Sequence, residues 1–137
     1  MVIFSLIALS YVGVLSQKEI KIPRKIRGNY SGIQETYSFQ QHGESFTIPV
    51  ITLQINLNKY TVSMCFPSNA YCPIRETKAF TWRKEKSKVV QRFIFQVNDD
   101  ASVLKEEWEL DVKKRQIIRV GIAPQPNTVL TKSRKKQ

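Results

Sequence analysis

Residues 51–66 read ITLQINLNKYTVSMCF, with an apolar side chain at every second position on both sides of a short polar break. The apolar members of the two runs are Ile51, Leu53, Ile55, Leu57, Tyr60, Val62, Met64 and Phe66. A period of two is typical of an extended strand that turns one face toward a dry interior. A helix would spread the same residues around its circumference, and the β-branched and aromatic content also favours strands.

The break between the two runs is Asn58-Lys59, which has the length of a two-residue hairpin loop. In such a hairpin the two flanking residues face each other on the same side of the sheet, so Leu57 is expected opposite Tyr60. The stretch therefore predicts an antiparallel hairpin with one apolar face.

The same alternation recurs downstream in three runs, whose apolar members are Phe80 and Trp82, then Val89, Phe93, Phe95 and Val97, then Trp108, Leu110 and Val112. Polar breaks at 85–88, 98–101 and 113–116 separate these runs. With further strands at 30–39 and 117–122, we expect about seven or eight strands. An antiparallel meander must hide its apolar face and its edges, so we predict an all-β fold closed into a small barrel, with a β-sandwich or an OB-like barrel as alternatives.

The chain has 137 residues, which is enough for one domain. Residues 2–15 (VIFSLIALSYVGVL) are mostly apolar but shorter than the roughly 20 residues that span a bilayer. We therefore predict a signal peptide at 1–16, with no Lys or Arg before its apolar stretch, and a buried cytosolic strand as the alternative. We expect a basic N-terminal segment at 17–27, the barrel domain at 28–122 and a basic disordered tail at 123–137.

Two cysteines, Cys65 and Cys72, flank a loop rich in Pro, Ser and Asn. In an exported protein an isolated close pair predicts a disulfide. A thiolate metal site is the alternative, but zinc takes four ligands and the single histidine, His42, is distant in sequence. The pair therefore favours a disulfide and a secreted, periplasmic or cell-envelope location over the cytoplasm, and we predict no metal and no cofactor.

The charge balance is strongly basic, with 22 Lys and Arg against 11 Asp and Glu and a net charge of +11. Such a balance predicts attraction to an anionic surface such as lipid headgroups or glycans, with nucleic acid as the alternative. A protein partner is a further candidate. The candidate contact residues are Arg83, Lys84, Lys86, Lys88, Lys113, Lys114, Arg115, Lys132, Arg134, Lys135 and Lys136.

The segment Gly28-Asn29-Tyr30-Ser31-Gly32 is a G-x-Y-x-G strand start, followed by a polar loop, the strand at 51–58 and the aromatic run at 80–82. This order resembles the small lipocalin-like, NlpE-like barrels of bacterial envelopes over about residues 28–120. The lipobox cysteine and the C-x-x-C of some members are absent, and Lys78-Ala79 replaces a glycine common before the aromatic strand. The resemblance implies an exported, non-catalytic barrel, and metal sensing does not carry over.

Residue types that could support catalysis do not form a recognisable pattern. His42 lies in a polar loop without a nucleophile elbow or an orienting partner, and Glu107 and Glu109 alternate with core residues on a solvent face. We therefore expect a non-enzymatic binding protein.

Trp82 and Phe93 lie among basic residues, the arrangement of an OB-like domain that binds single-stranded nucleic acid, although their strand positions also fit a core. Binding of single-stranded nucleic acid is therefore the alternative function. The aromatic interior predicts a filled core, and a barrel that holds a small apolar ligand is the alternative.

Overall fold

The computed structural model describes residues 19–98 and 105–134. The predicted signal peptide, residues 99–101 of the polar break predicted at 98–101, and the basic residues Lys135 and Lys136 lie outside these ranges. Within them the chain is all-β, as predicted, and its two helices are single 3-10 turns at Arg24–Ile26 and Pro67–Asn69. Across the described ranges, no helix has the length and apolar character that crossing a membrane would require.

Eleven strands follow in chain order: β1 (Gly28–Gln34), β2 (Tyr37–Gln41), β3 (Glu44–Ile48), β4 (Ile51–Leu57), β5 (Val62–Phe66), β6 (Tyr71–Thr77), β7 (Phe80–Lys86), β8 (Gln91–Asn98), β9 (Lys105–Asp111), β10 (Gln116–Val120) and β11 (Thr128–Lys132). Nine of them form one antiparallel sheet in the order β6-β5-β4-β1-β11-β10-β9-β8-β7, and β2 and β3 form a separate hairpin.

The sheet curls into a half-barrel. Neighbouring strands are consecutive in the chain except where β1 pairs with β4, past the β2–β3 hairpin, and where β1 pairs with β11. The two edge strands, β6 and β7, are themselves consecutive and are joined by Lys78-Ala79 alone. The two edge strands are therefore connected by a two-residue link, although no backbone hydrogen bonds pair β6 with β7 in the described sheet.

The hairpin of β4 and β5 confirms the predicted strands and corrects their register. Leu57 pairs with Val62 rather than with Tyr60, and the turn closes through a hydrogen bond from the amide of Asn58 to the carbonyl of Thr61. The displacement amounts to two residues, so every side chain keeps its predicted face. The observed register buries Val62 completely and leaves Tyr60 at the turn, partly exposed.

The inward faces of the strands pack into one core, as the alternation predicted. Its largest buried side chains are Trp108, Tyr30, Phe93, Phe95, Ile22, Ile26, Leu53, Ile55, Leu57, Met64, Ile74 and Leu110. One predicted core residue is misplaced: Val89 is 80% exposed. It lies in the β7–β8 turn, which spans Ser87 to Val90 rather than 85–88, and β7 therefore extends through Lys86.

The basic N-terminal segment at 17–27 contributes to the core from residue 19 onward. Ile22 and Ile26 are buried, and the amide of Ile22 donates to the carbonyl of Lys59 in the β4–β5 turn at 2.8 Å. The indole N–H of Trp82 donates to the carbonyl of Lys21, and the phenol of Tyr30 donates to the carbonyl of Ile26. The segment 19–27 thus lies across one end of the curled sheet, here called the covered end.

The predicted disorder at 123–137 is wrong for the strand β11, which pairs with both β1 and β10 near the middle of the sheet. Leu130 and Thr128 point into the core while Val129 faces outward. Three alternating residues after a Pro-rich loop gave too short a pattern to stand out from the basic residues that follow. Close approach to β11 requires Gly32 in β1, because a Cβ there would collide with the carbonyl of Val129.

Candidate functional site

A cavity of about 530 Å³ opens at the end of the sheet opposite the covered end. Its lining residues are Gln34, Tyr37, Phe39, Ile48, Ile51, Phe66, Asn69, Tyr71, Pro73, Glu106, Arg119, Ile122, Pro124 and Gln125. Six of these sit at or next to the ends of β1, β4, β5, β6, β9 and β10. This end, here called the open end, has the volume and the mainly apolar lining of a small-molecule site.

The β2–β3 hairpin supplies an aromatic wall of this cavity. Tyr37 and Phe39 from β2 and Ile48 from β3 line it, and the ring of Phe39 stacks on Phe46 at 5.4 Å. The hairpin turns at His42 and Gly43, both with positive φ, which are the two central positions of a tight turn whose twist matches paired strands. His42 is exposed at this tip.

A polar cluster forms the floor of the open-end cavity. Arg119 on β10 donates from Nε to Glu106 Oε1 at 2.8 Å and from Nη2 to Glu106 Oε2 at 2.7 Å. Its Nη1 donates to Oε1 of Gln34 at 2.7 Å, and the indole N–H of Trp108 donates to Glu106 Oε1 at 3.2 Å. The two charged side chains are only 6% and 15% exposed, so this bidentate ion pair is largely desolvated.

The predicted disulfide joins Cys65 on β5 to Cys72 on β6. It closes the loop that presents Phe66, Asn69 and Tyr71 to the cavity. The loop contains the 3-10 turn Pro67–Asn69 and a left-handed Ala70. The covalent link therefore fixes one part of the rim of the open end.

The cationic residues that the sequence singled out converge in part at the covered end. Lys84 lies 5.7 Å over the ring of Phe93, and Lys25 lies 5.9 Å over the same ring. Lys132 donates to the carbonyl of Lys25 and lies 5.9 Å over the ring of Tyr30. The amide of Lys132 donates to the carbonyl of Arg115 at 3.0 Å, which places Arg115 next to Lys132. Burial lowers the pKa of Lys132, and the charge of Arg115 lowers it further.

We call Lys25, Lys84, Arg115 and Lys132 the cationic cluster. Within the described part of the chain, no carboxylate forms an ion pair with any of the four. Lys25 was not among the predicted contact residues, because it lies in the segment 17–27, for which the sequence predicts no strand or helix. Its position emerges only when the segment 19–27 folds over the covered end.

The other predicted contact residues lie outside this cluster. Arg83 pairs with Glu85 on the exposed face of β7, at 3.2 Å, and Lys86 ends that strand. The remaining ones in the described ranges occupy exposed turns or the segment after β11: Lys88, Lys113, Lys114 and Arg134.

Of the two rings proposed for base stacking, Phe93 is buried and Trp82 is partly exposed. The two rings pack edge to face with their centroids 5.2 Å apart, and the indole N–H of Trp82 donates to the carbonyl of Lys21. Glu109 faces outward as predicted and approaches Arg92 at 3.7 Å. The described residues contain no group of three His, Cys, Asp or Glu side chains that could hold a metal ion.

Sequence reasoning missed the polar floor of the cavity, although a signal was present. Arg119 shares its strand parity with buried Ile117, Glu106 with Trp108 and Gln34 with Tyr30. Each is thus a polar residue at an inward position near the end of a strand. Side chains at such positions must find polar partners, and partners on three different strands are the expected solution.

Comparisons of the chain with protein-family models, with curated proteins and with solved structures returned no match. The functional interpretation therefore rests on the chemistry of the open end and of the cationic cluster.

Proposed function

We propose that this protein is an exported, non-enzymatic binding protein, a small lipocalin-like barrel that holds a small amphipathic ligand in the open-end cavity. The observation that carries the proposal is the cavity itself: about 530 Å³, walled by aromatic and aliphatic side chains around a few polar groups. Sites of this shape and composition are the usual location of small-molecule binding in proteins.

The strand order supports a barrel. Stepwise antiparallel pairing from β6 around to β7 gives these two edge strands the same direction, and only Lys78-Ala79 separates them. Taken as one bent strand, β6 and β7 complete a ring of about eight strands, a number that leaves room for one small ligand. The buried residues of the segment 19–27 would close the covered end and leave the other end as the entrance.

The disulfide supports the exported location, since disulfides persist in oxidising compartments. Intact mass of the protein from the extracellular or periplasmic fraction tests this part. The proposal expects a mass that lacks residues 1–16 and is two hydrogens lighter than the reduced chain. A retained N-terminus with two free thiols would contradict it.

Ligand binding is testable with N-phenyl-1-naphthylamine, an uncharged fluorophore whose emission rises in apolar surroundings. We expect saturable binding to the full chain. Ile122→Trp places a large ring at the rim and should weaken binding by roughly tenfold, about 1.4 kcal/mol. Val89→Trp, at an exposed turn away from the cavity, is the matched control and should bind as the unaltered protein does. Equal effects of the two substitutions would contradict the assignment of the site.

The cationic cluster supports a second candidate function, contact with an anionic surface through the covered end. Four cations from four segments lie there, and none of them forms an ion pair with a carboxylate among residues 19–98 and 105–134. Binding to vesicles that contain anionic lipid should weaken steeply with salt, and Lys84→Gln should reduce it more than Lys88→Gln does. Salt-insensitive or absent binding would remove this candidate. The burial of Phe93 and the partial burial of Trp82 argue against the nucleic-acid alternative, which needs exposed rings.

A further inference from the structure

The polar floor of the cavity is electrically balanced. Arg119 carries one positive charge and Glu106 one negative charge, and the two are joined by a pair of hydrogen bonds at 2.7 and 2.8 Å. Gln34, the third member, is uncharged and 2% exposed. A ligand group that enters the cavity therefore meets a neutral cluster with strong local dipoles rather than a free cation.

We propose that the open-end cavity selects uncharged amphipathic ligands with an alcohol or amide head group, and discriminates against carboxylate and ammonium heads. The inference rests on the proposed binding function and specifies its ligand class. A carboxylate that approached Arg119 would also approach Glu106, and an ammonium group would meet the reverse combination. Either ion would lose its hydration without gaining an unpaired counter-charge, which is costly in a largely desolvated site.

The hydrogen-bonding capacity that remains at the floor matches a group that both donates and accepts. A guanidinium carries five N–H donors, and three of those on Arg119 are committed to Glu106 and Gln34, which leaves two. A carboxylate offers about four acceptor positions, and three on Glu106 are occupied by Arg119 and Trp108. A hydroxyl can accept from Arg119 and donate to Glu106, and so can a primary amide.

The walls suit an apolar body attached to that head. The rings of Phe39, Phe66 and Tyr71 line the cavity together with the aliphatic side chains of Ile48 and Ile51. With the polar groups at the floor and the apolar groups toward the rim, the ligand would enter head first.

Competition against N-phenyl-1-naphthylamine at neutral pH tests the inference with three probes of equal chain length: 1-decanol, decanoate and decylammonium. We expect 1-decanol to displace the fluorophore at a concentration roughly tenfold or more below that of either ion. Tighter displacement by decanoate or decylammonium, or bound fluorophore that none of the three displaces, would overturn the inference. Failure of the fluorophore itself to bind would instead overturn the proposed function.

Two substitutions should shift the ligand preference in opposite directions, because each removes one of the two charges at the floor. Glu106→Gln preserves shape and leaves Arg119 without its counter-ion, so the preference should move to decanoate. Arg119→Gln leaves Glu106 unpaired and should move the preference to decylammonium. Glu107→Gln is the matched control, because Glu107 is the next residue on β9 and bonds to Gln96 away from the cavity. Circular dichroism checks that each variant is folded, and a folded Glu106→Gln or Arg119→Gln variant that still prefers 1-decanol would contradict the inference.

Discussion

Leu130→Ala tests the unexpected role of β11 in the core. Leu130 is completely buried, whereas its neighbour Val129 on the same strand is 49% exposed and points outward. Truncation of a buried leucine removes apolar contacts and leaves a cavity, at a cost of roughly 2–5 kcal/mol. Because Leu130 pairs with both Gly32 and Ile117 in the middle of the sheet, little collapse around the gap is possible. We expect a loss of about 3 kcal/mol in the free energy of unfolding.

The assay is equilibrium unfolding in urea with the disulfide intact, followed by the fluorescence of the two tryptophans, buried Trp108 and partly exposed Trp82. A loss of about 3 kcal/mol should lower Tm by roughly 10 °C in a domain of this size. Val129→Ala is the matched control and should cost less than about 1 kcal/mol. Equal stabilities of the two variants, within about 0.5 kcal/mol, would refute the assignment of Leu130 to the core and return the segment to a disordered tail.

Three further outcomes follow from the same contacts. Gly32→Ala should destabilise the protein by about 2–4 kcal/mol in the same urea assay, because the new methyl group collides with the carbonyl of Val129; an unchanged midpoint would contradict the close approach of β1 and β11. Replacement of Cys65 and Cys72 by serine should lower the free energy of unfolding by about 2–3 kcal/mol, because the unfolded loop gains entropy. It should also weaken fluorophore binding at the rim, and unaltered binding would exclude a role for the disulfide in the site. Burial raises the pKa of Tyr30 from 10.0 to about 12. The folded chain therefore holds this proton more tightly than the unfolded chain, so the stability that it contributes is complete below pH 10.0 and is lost as the pH rises to about 12. Ultraviolet titration of tyrosinate, compared with Tyr30→Phe, checks the shift, and ionisation of every tyrosine near pH 10.0 would contradict it.

The strands and the core were predictable where alternation ran over at least four residues. The runs that contain Leu53, Met64, Phe95 and Trp108 were placed on the correct face, except for Val89 at the start of the run of Phe95. The register at the β4–β5 turn was not predictable, because Leu57 can face Tyr60 or Val62 without moving any side chain to the other face. Burial of Val62 against Leu57 decides between the two registers, and burial is a property of the folded sheet.

Local pattern could not reveal the two ends of the sheet. The covered end depends on Ile22 and Ile26, whose spacing of four residues fits one face of a helix as well as one face of a strand, so that two residues alone predict neither element. The open end depends on contacts between residues that are far apart in sequence, such as the bond between Arg119 and Gln34. Single polar residues at inward positions predict that partners exist, but the identity of those partners depends on how the sheet curls.

The central claim is that the curled sheet holds its ligand at the open end, between the β2–β3 hairpin and the floor around Arg119. Amide chemical-shift mapping of the isotope-labelled full chain, titrated with 1-decanol, tests it most directly. We predict saturable shifts that concentrate at Gln34, Phe39, Phe66 and Ile122, with Lys25 at the covered end unaffected. Shifts centred on the covered end, or spread without a maximum over the surface, would contradict the claim.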